Sequence, residues 1–243
     1  MKILYKIFST PEEMADGFAE EIISLIKTTG EKKKFVSIAI SGGSTPKLFF
    51  SVLADKYSGA IDWTTVKLFW VDERCVPPDD SDSNYGMTVK ILLSKIKLPS
   101  ENIFRMRGED DPVKEAERYS DVISNHVNHK KDVPVFDIII LGMGEDGHTA
   151  SIFPGDEKLF TDRKNCNVSI HPVTGQKRIT ITGKVINNAR SVFFLITGSN
   201  KSSIVNEIYR NSEVSRMFPA AHVKLKNGKI TWFLDYESGK FIA

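Results

Sequence analysis

The sequence predicts a three-layer α/β fold, with helices packed on both faces of a mainly parallel sheet. Two observations lead there. Short β-branched apolar runs at residues 35–40, 66–71, 136–141 and 191–197 alternate with stretches of helical periodicity. Most of these runs lead directly into a polar or glycine-bearing turn, the way strands feed helices when neighbouring strands run parallel. No repeat and no Gly/Ser/Pro-rich linker interrupts the 243 residues, so one domain spanning 1–243 is expected.

Residues 2–8 have the alternation of a first strand. Thr10-Pro11-Glu12-Glu13 then has the form of a capping box, with Pro at the first helical position. Met14, Phe18, Ile22, Leu25 and Ile26 recur at helical spacing, which predicts an amphipathic helix over 11–28 closed by Gly30. Lys32-Lys33-Lys34 reads as a solvated turn. The strand at 35–40 leads through Ser41-Gly42-Gly43-Ser44-Thr45-Pro46 into a helix over 47–56. The strand at 66–71 is followed by Asp72-Glu73-Arg74 and a polar, proline-containing loop at 77–83. A helix over about 84–95, a short strand near Phe104 and a helix from Pro112 to about His129 come next. His126 and His129 sit near that helix's basic end, where they complement its dipole.

Beyond the strand at 136–141, residues 167–172 and 178–182 read as extended, and 183–189 as a helical turn. The strand at 191–197 runs into Gly198-Ser199-Asn200-Lys201, which opens a helix to about Arg210. Residues 229–235 form the last strand. By the crossover rules the parallel strands end on one edge of the sheet, so the polar turns that follow them can converge on one cleft.

The totals narrow the function classes. The chain is 41% hydrophobic and 26% charged, with a formal net charge of +2. That near-balance speaks against a broad nucleic-acid surface while allowing a local basic pocket for a small anion. Cys75 and Cys166 form no motif and read as reduced thiols of a cytoplasmic protein. No apolar run approaches membrane-spanning length, and the first eight residues do not read as a signal peptide. The expected partner is a small molecule, with neither nucleic acid nor membrane, for a monomer or small homo-oligomer.

Three stretches carry chemistry. In Gly142-Met143-Gly144-Glu145-Asp146-Gly147-His148, glycines following a buried strand let the backbone approach a ligand, and acid/base side chains sit among them. His148 is suited to general-base work because an imidazole titrates near neutrality. The same features also fit an ordinary hydrogen-bonded loop. One His without a nearby Cys falls short of a closed metal site, so no metal is expected. Ser41-Gly42-Gly43-Ser44-Thr45-Pro46 presents backbone N–H groups at a helix start, an anion-binding arrangement that could equally be a Ser/Thr helix cap. It lacks the Gly-Lys-Ser/Thr ending of a P-loop. Asp72-Glu73-Arg74 places three charges after a strand, where core positions are not expected. Its arginine suits bidentate phosphate recognition, and a surface salt-bridged turn is the alternative.

Taken in order, these motifs resemble a known family. Ser41-Gly42-Gly43-Ser44-Thr45-Pro46, Asp72-Glu73-Arg74, the run from Gly142 through His148 to Gly155, Arg178-Ile179-Thr180 and Gly198-x-x-Lys201 occur in this order in 6-phosphogluconolactonases. The chain is similar to that family along its whole length, within the wider glucosamine-6-phosphate isomerase/6-phosphogluconolactonase group. The resemblance implies a Rossmann-like αβα fold and cofactor-free hydrolysis of 6-phospho-D-glucono-1,5-lactone to 6-phosphogluconate. It makes His148 the base and Asp146 its supporting neighbour. It makes Gly43, Ser44, Arg74, Arg178 and Lys201 the substrate and phosphate contacts, joined by Gly42, Thr45, Asp72 and Gly144 from the same motifs.

Two rivals are separable on single features. The aminosugar-phosphate deaminase/isomerase branch shares Asp-Gly-His but carries a Glu five residues after the histidine. Here that position is Phe153, which transfers no proton. A non-catalytic sugar-phosphate sensor would need a DNA-binding module, and the sequence opens directly on a strand pattern with no upstream helix-turn-helix.

Overall fold

A computed structural model describes residues 3–243; the expected start of the first strand at Lys2 lies outside them. Strands β1 (Leu4–Phe8), β2 (Val36–Ile40), β3 (Val66–Trp70), β5 (Ile103–Phe104), β8 (Ile138–Leu141), β11 (Ser191–Ile196) and β12 (Lys229–Asp235) form one seven-stranded sheet. Its order is β1-β12-β11-β8-β2-β3-β5 and every pair is parallel. With helices on both faces, this is the three-layer, Rossmann-like α/β arrangement expected.

The alternation of β8 shows why both faces must be covered. Ile138 and Ile140 pack with Phe18 of α1 (Pro11–Gly30) and with Phe49 and Phe50 of α2 (Ser44–Tyr57). Ile139 and Leu141 pack on the other face with Tyr119 and Ile123 of α4 (Pro112–His126) and Val205 of α6 (Ser202–Tyr209). A strand buried on both sides reads as a continuous apolar run, because each side chain removed from water contributes about 1.5–3 kcal/mol. Phe18 joins helix to sheet, its ring 4.7 Å from Phe49 and 4.9 Å from Phe233. At the start of α1 the Thr10 hydroxyl accepts the Glu13 N–H, and Glu13 accepts the N–H of Ser9.

Several boundaries differ from expectation for physical reasons. The helix expected over 84–95 is α3 (Asn84–Thr88) followed by a π-helical turn over Val89–Leu93. The helix expected to reach His129 ends at His126. His129 instead belongs to β6 (His129–Lys130), which turns through Lys131 and Asp132 (φ 52° and 60°) into β7 (Val133–Pro134). Asp72-Glu73-Arg74 is not a charged surface turn. It forms β4 (Asp72–Arg74), centred in neither helix layer but in a small antiparallel sheet, β4-β10-β9, with β9 (Cys166–Ile170) and β10 (Lys177–Ile181). Asp72 and Glu73 are buried there. A short α5 (Gly183–Ile186) precedes β11, and α7 (Tyr236–Gly239) ends the regular structure.

Candidate active site

The site forms where the sheet reverses direction. From β2 the chain proceeds outward to β3 and β5; β8, adjacent to β2 on its other side, begins the progression through β11 to β12. Loops after β2 and β8 therefore part from each other, leaving a crevice beyond the carboxyl ends of the strands. A cleft of about 180 Å³ occupies it. Gly42, Gly43, Ser44 and Thr45 reach it from β2 and the start of α2, and Asp72 and Arg74 from β4. Gly144 and His148 come from the loop after β8, and Lys201 from the turn after β11. Arg178 is placed differently from the others, at the start of an antiparallel strand: it pairs across from Arg74 in the small sheet, and that register puts both arginines at the cleft. Asp146 does not line the cleft and stands behind His148.

At one end is the imidazole. Nδ1 of His148 lies 2.6 Å from Oδ1 of Asp146, and the same oxygen accepts the His148 backbone N–H at 3.0 Å. Burial pushes the Asp146 carboxyl up, but the hydrogen bond and charge of His148 outweigh it, and the net shift is downward. An ionised carboxylate only accepts, so the His148 nitrogen facing Asp146 is Nδ1 carrying a proton, and Nε2 is the ring nitrogen left without Asp146 as a partner. Gly144 makes this closeness possible. A Cβ there would lie 2.2 Å from His148 Nδ1 and 2.7 Å from Asp146 Oδ1. Phe153 packs its ring 4.8 Å from the imidazole, fixing its other side.

The other groups favour an anion. The α2 start has Gly43 at φ 100° as its cap, and no side chain among the described residues caps its first N–H groups, so the helix-cap alternative is not what the sequence builds here. The Thr45 hydroxyl is instead tied to that of Thr197 at 2.8 Å, and the Ser41 hydroxyl donates to the Ile140 carbonyl, locking the turn to β11 and β8. The Nε atoms of Arg74 and Arg178 are buried without a partner among the described residues. Burial, then the charge of Arg74, pulls the Arg178 guanidinium down, and burial also lowers Lys201 against the pull of Glu145 and Asp235. Two neighbouring guanidinium groups with a desolvated ammonium in the same cleft are chemically suited to take up a multiply charged anion.

Some contributors were not legible in the sequence. Asn84, Met143, Ala150 and Leu195 also line the cleft. Asn84 follows a loop with no motif, and its arrival depends on a buried carboxylate, Glu73, from another strand. His171 packs edge-on to Phe153 at 5.0 Å, and only the fold of the small sheet brings it there. Cys75, beside Arg74, has its thiol pushed up to about 11 by burial and then by Glu73, which keeps it protonated at neutral pH.

The family model described as glucosamine-6-phosphate isomerases/6-phosphogluconolactonase matches residues 9–232. The chain belongs to this family. It is 40% identical to the 6-phosphogluconolactonase of Haemophilus influenzae over 232 residues, covering 95% of this chain and 96% of that one. It is 39% identical to the 6-phosphogluconolactonase of Treponema pallidum, covering 95% and 91%. The solved 6-phosphogluconolactonase of Trypanosoma brucei superposes with a TM-score of 0.85 at 29% identity, covering 100% of this chain and 99% of that one. Among the described residues no helix is long and apolar enough to cross a membrane.

Proposed function

We propose that this chain hydrolyses 6-phospho-D-glucono-1,5-lactone to 6-phosphogluconate, the second step of the oxidative pentose phosphate pathway, with His148 as general base. The observation that carries the reading is the polarised imidazole of His148, held by Asp146 at one end of a cleft that also contains two guanidinium groups with unpartnered Nε atoms. The names of the relatives support the lactone as substrate.

A δ-lactone is a reactive ester, so the protein needs an oriented water, a base active near neutrality and donors for the developing oxyanion. Nε2 of His148 takes a proton from water as its oxygen attacks C1. The tetrahedral intermediate then expels the ring oxygen, which takes the proton back from the imidazolium. The acid formed ionises to the carboxylate of 6-phosphogluconate. Backbone N–H groups of the glycine turns and Arg74 are the donors at hand for the oxyanion. Arg178, Lys201, Ser44 and the amides at the start of α2 clamp the 6-phosphate, so remote binding holds C1 against the base. Phe153, packed on the imidazole, supplies no ring-opening acid, which separates this site from aminosugar-phosphate deamination. A cytoplasmic location, and a monomeric or small homo-oligomeric state, belong to the same proposal.

The test is the opening rate of freshly generated lactone with and without the protein, measured against spontaneous hydrolysis. A catalysed rate is expected. A rate equal to the background, or ammonia release from glucosamine 6-phosphate, rejects the reading.

A further inference from the structure

The cleft is rich in donors, and besides its hydroxyls and the His148 imidazole two side chains bring acceptor oxygens to it: the carboxylate of Asp72 and the amide of Asn84. One oxygen of Asp72 is already occupied, accepting the Ser151 hydroxyl at 2.6 Å. Asn84 is the first residue of α3 and is 3% exposed. Its Nδ2 donates to the Asp72 backbone carbonyl at 3.0 Å, which fixes the amide plane and turns Oδ1 the other way. There Oδ1 lies over Gly42, where an added Cβ would come within 1.7 Å of it. Only glycine at 42 leaves room for it. No described residue donates to this oxygen.

Glu73 determines where Asn84 stands. Its carboxylate is 2% exposed and accepts the N–H groups of Arg74 at 2.7 Å, Asn84 at 2.8 Å and Tyr85 at 2.8 Å, with the Ser83 hydroxyl at 3.2 Å. One buried carboxylate thus caps α3 and fastens it to β4, the strand that carries Asp72 and Arg74. So many donors around one carboxylate offset part of the cost of burying it.

We propose that Asn84 Oδ1 accepts a hydrogen bond from a ring hydroxyl of the sugar lactone, and that Glu73 is the positioning residue that holds it there. The inference rests on the lactonase reading and deepens it. The phosphate and the lactone carbonyl can only accept, and Arg74, Arg178 and Lys201 can serve them. Ring hydroxyls must also donate, and a hydroxyl withdrawn from water without an acceptor is costly. The Nε2 lone pair of His148 is committed to water and the Ser44 hydroxyl to the phosphate, so Asn84 and the second oxygen of Asp72 are the acceptors to receive these protons.

The experiment compares kcat/KM on 6-phosphogluconolactone and on its 2-, 3- and 4-deoxy counterparts, for the unaltered protein and for Asn84→Ala. The substitution is expected to cost about tenfold on the parent lactone. The loss should vanish on the one deoxy compound that lacks the bonded hydroxyl, while Asn84→Asp, which keeps an acceptor, retains the discrimination. An equal loss on all four lactones overturns the assignment, since a purely structural role cannot distinguish them. Absence of hydrolysis by the unaltered protein would instead defeat the lactonase reading, before Asn84 is at issue. Glu73→Gln, which puts a donor among donors, is expected to blunt the same discrimination. Full discrimination in a folded Glu73→Gln protein removes Glu73 from the proposal, and Asn84→Ala decides it if that variant does not fold.

Discussion

Nδ1 of His148 and Oδ1 of Asp146 are 2.6 Å apart, two residues along one loop, so the pair needs no long-range contact to meet. Because the carboxylate holds the ring by Nδ1, Nε2 is the nitrogen that the proposed reaction uses as its base. His148→Asn keeps a polar side chain of similar reach but supplies no base. Turnover is expected to fall roughly 10²–10⁴-fold while 6-phosphogluconate binding, followed calorimetrically, stays within a few-fold. Near-normal turnover would remove His148 from the reaction.

The downward shift of Asp146 has a stability consequence whose sign is fixed. Its pKa is lower in the folded chain than in the unfolded one, so the unfolded state binds more protons as pH falls. The stabilising contribution is present above the unfolded value of about 3.9 and is lost as pH drops through the depressed folded value. The melting-temperature gap between the unaltered protein and Asp146→Asn should therefore be widest near neutrality and close toward pH 3. A gap that widens on acidification contradicts the pairing.

Gly144→Ala separates position from stability. The new Cβ meets the His148 ring and the Asp146 carboxylate, side chains that can swing aside, so the melting temperature should move by only a few degrees. The swing displaces the imidazole, and a shift on the order of 1 Å costs roughly 10²-fold in rate. Kinetics beside a thermal melt check both halves; unchanged activity would mean the ring is not held where the geometry puts it.

The unpartnered Nε of Arg178 gives a ligand-dependent stability. Occupancy by 6-phosphogluconate at a hundred times its Kd should stabilise the chain by about 2.7 kcal/mol, seen as a raised melting temperature. Arg178→Met should raise KM far more than it lowers kcat and abolish that protection. The ligand-free variant should melt no lower than the unaltered protein, because a buried, repelled charge has been removed. Retained protection would place the phosphate elsewhere.

Much of this was legible because it is local. The run at 136–141 is apolar on both faces because its strand is covered on both, and Thr10-Pro11 marks a helix start through its own backbone. The polar turns at 41–46 and 142–148 could be read as ligand loops, since glycine spacing and side-chain chemistry are properties of the sequence itself. Glu73 was not readable in this way: it looked like one of three surface charges, and only the neighbours that α3 supplies make it a core residue. His129 was misplaced because the helix gives way to extended backbone at Val127, and His129 pairs instead with Pro134 across a hairpin.

What the sequence by itself determined is the alternation of strands and helices and a glycine-bearing loop that puts Asp146 and His148 two residues apart, all set by short-range periodicity and adjacency. Only the tertiary structure decided which distant residues share the crevice. Arg178 stands beside Arg74 through an antiparallel register, and Asn84, on α3, lines the cleft through the carboxylate that Glu73 brings from β4. The physical reason is that register and burial come from packing between segments far apart in the chain, and single-residue chemistry carries no record of its eventual neighbours.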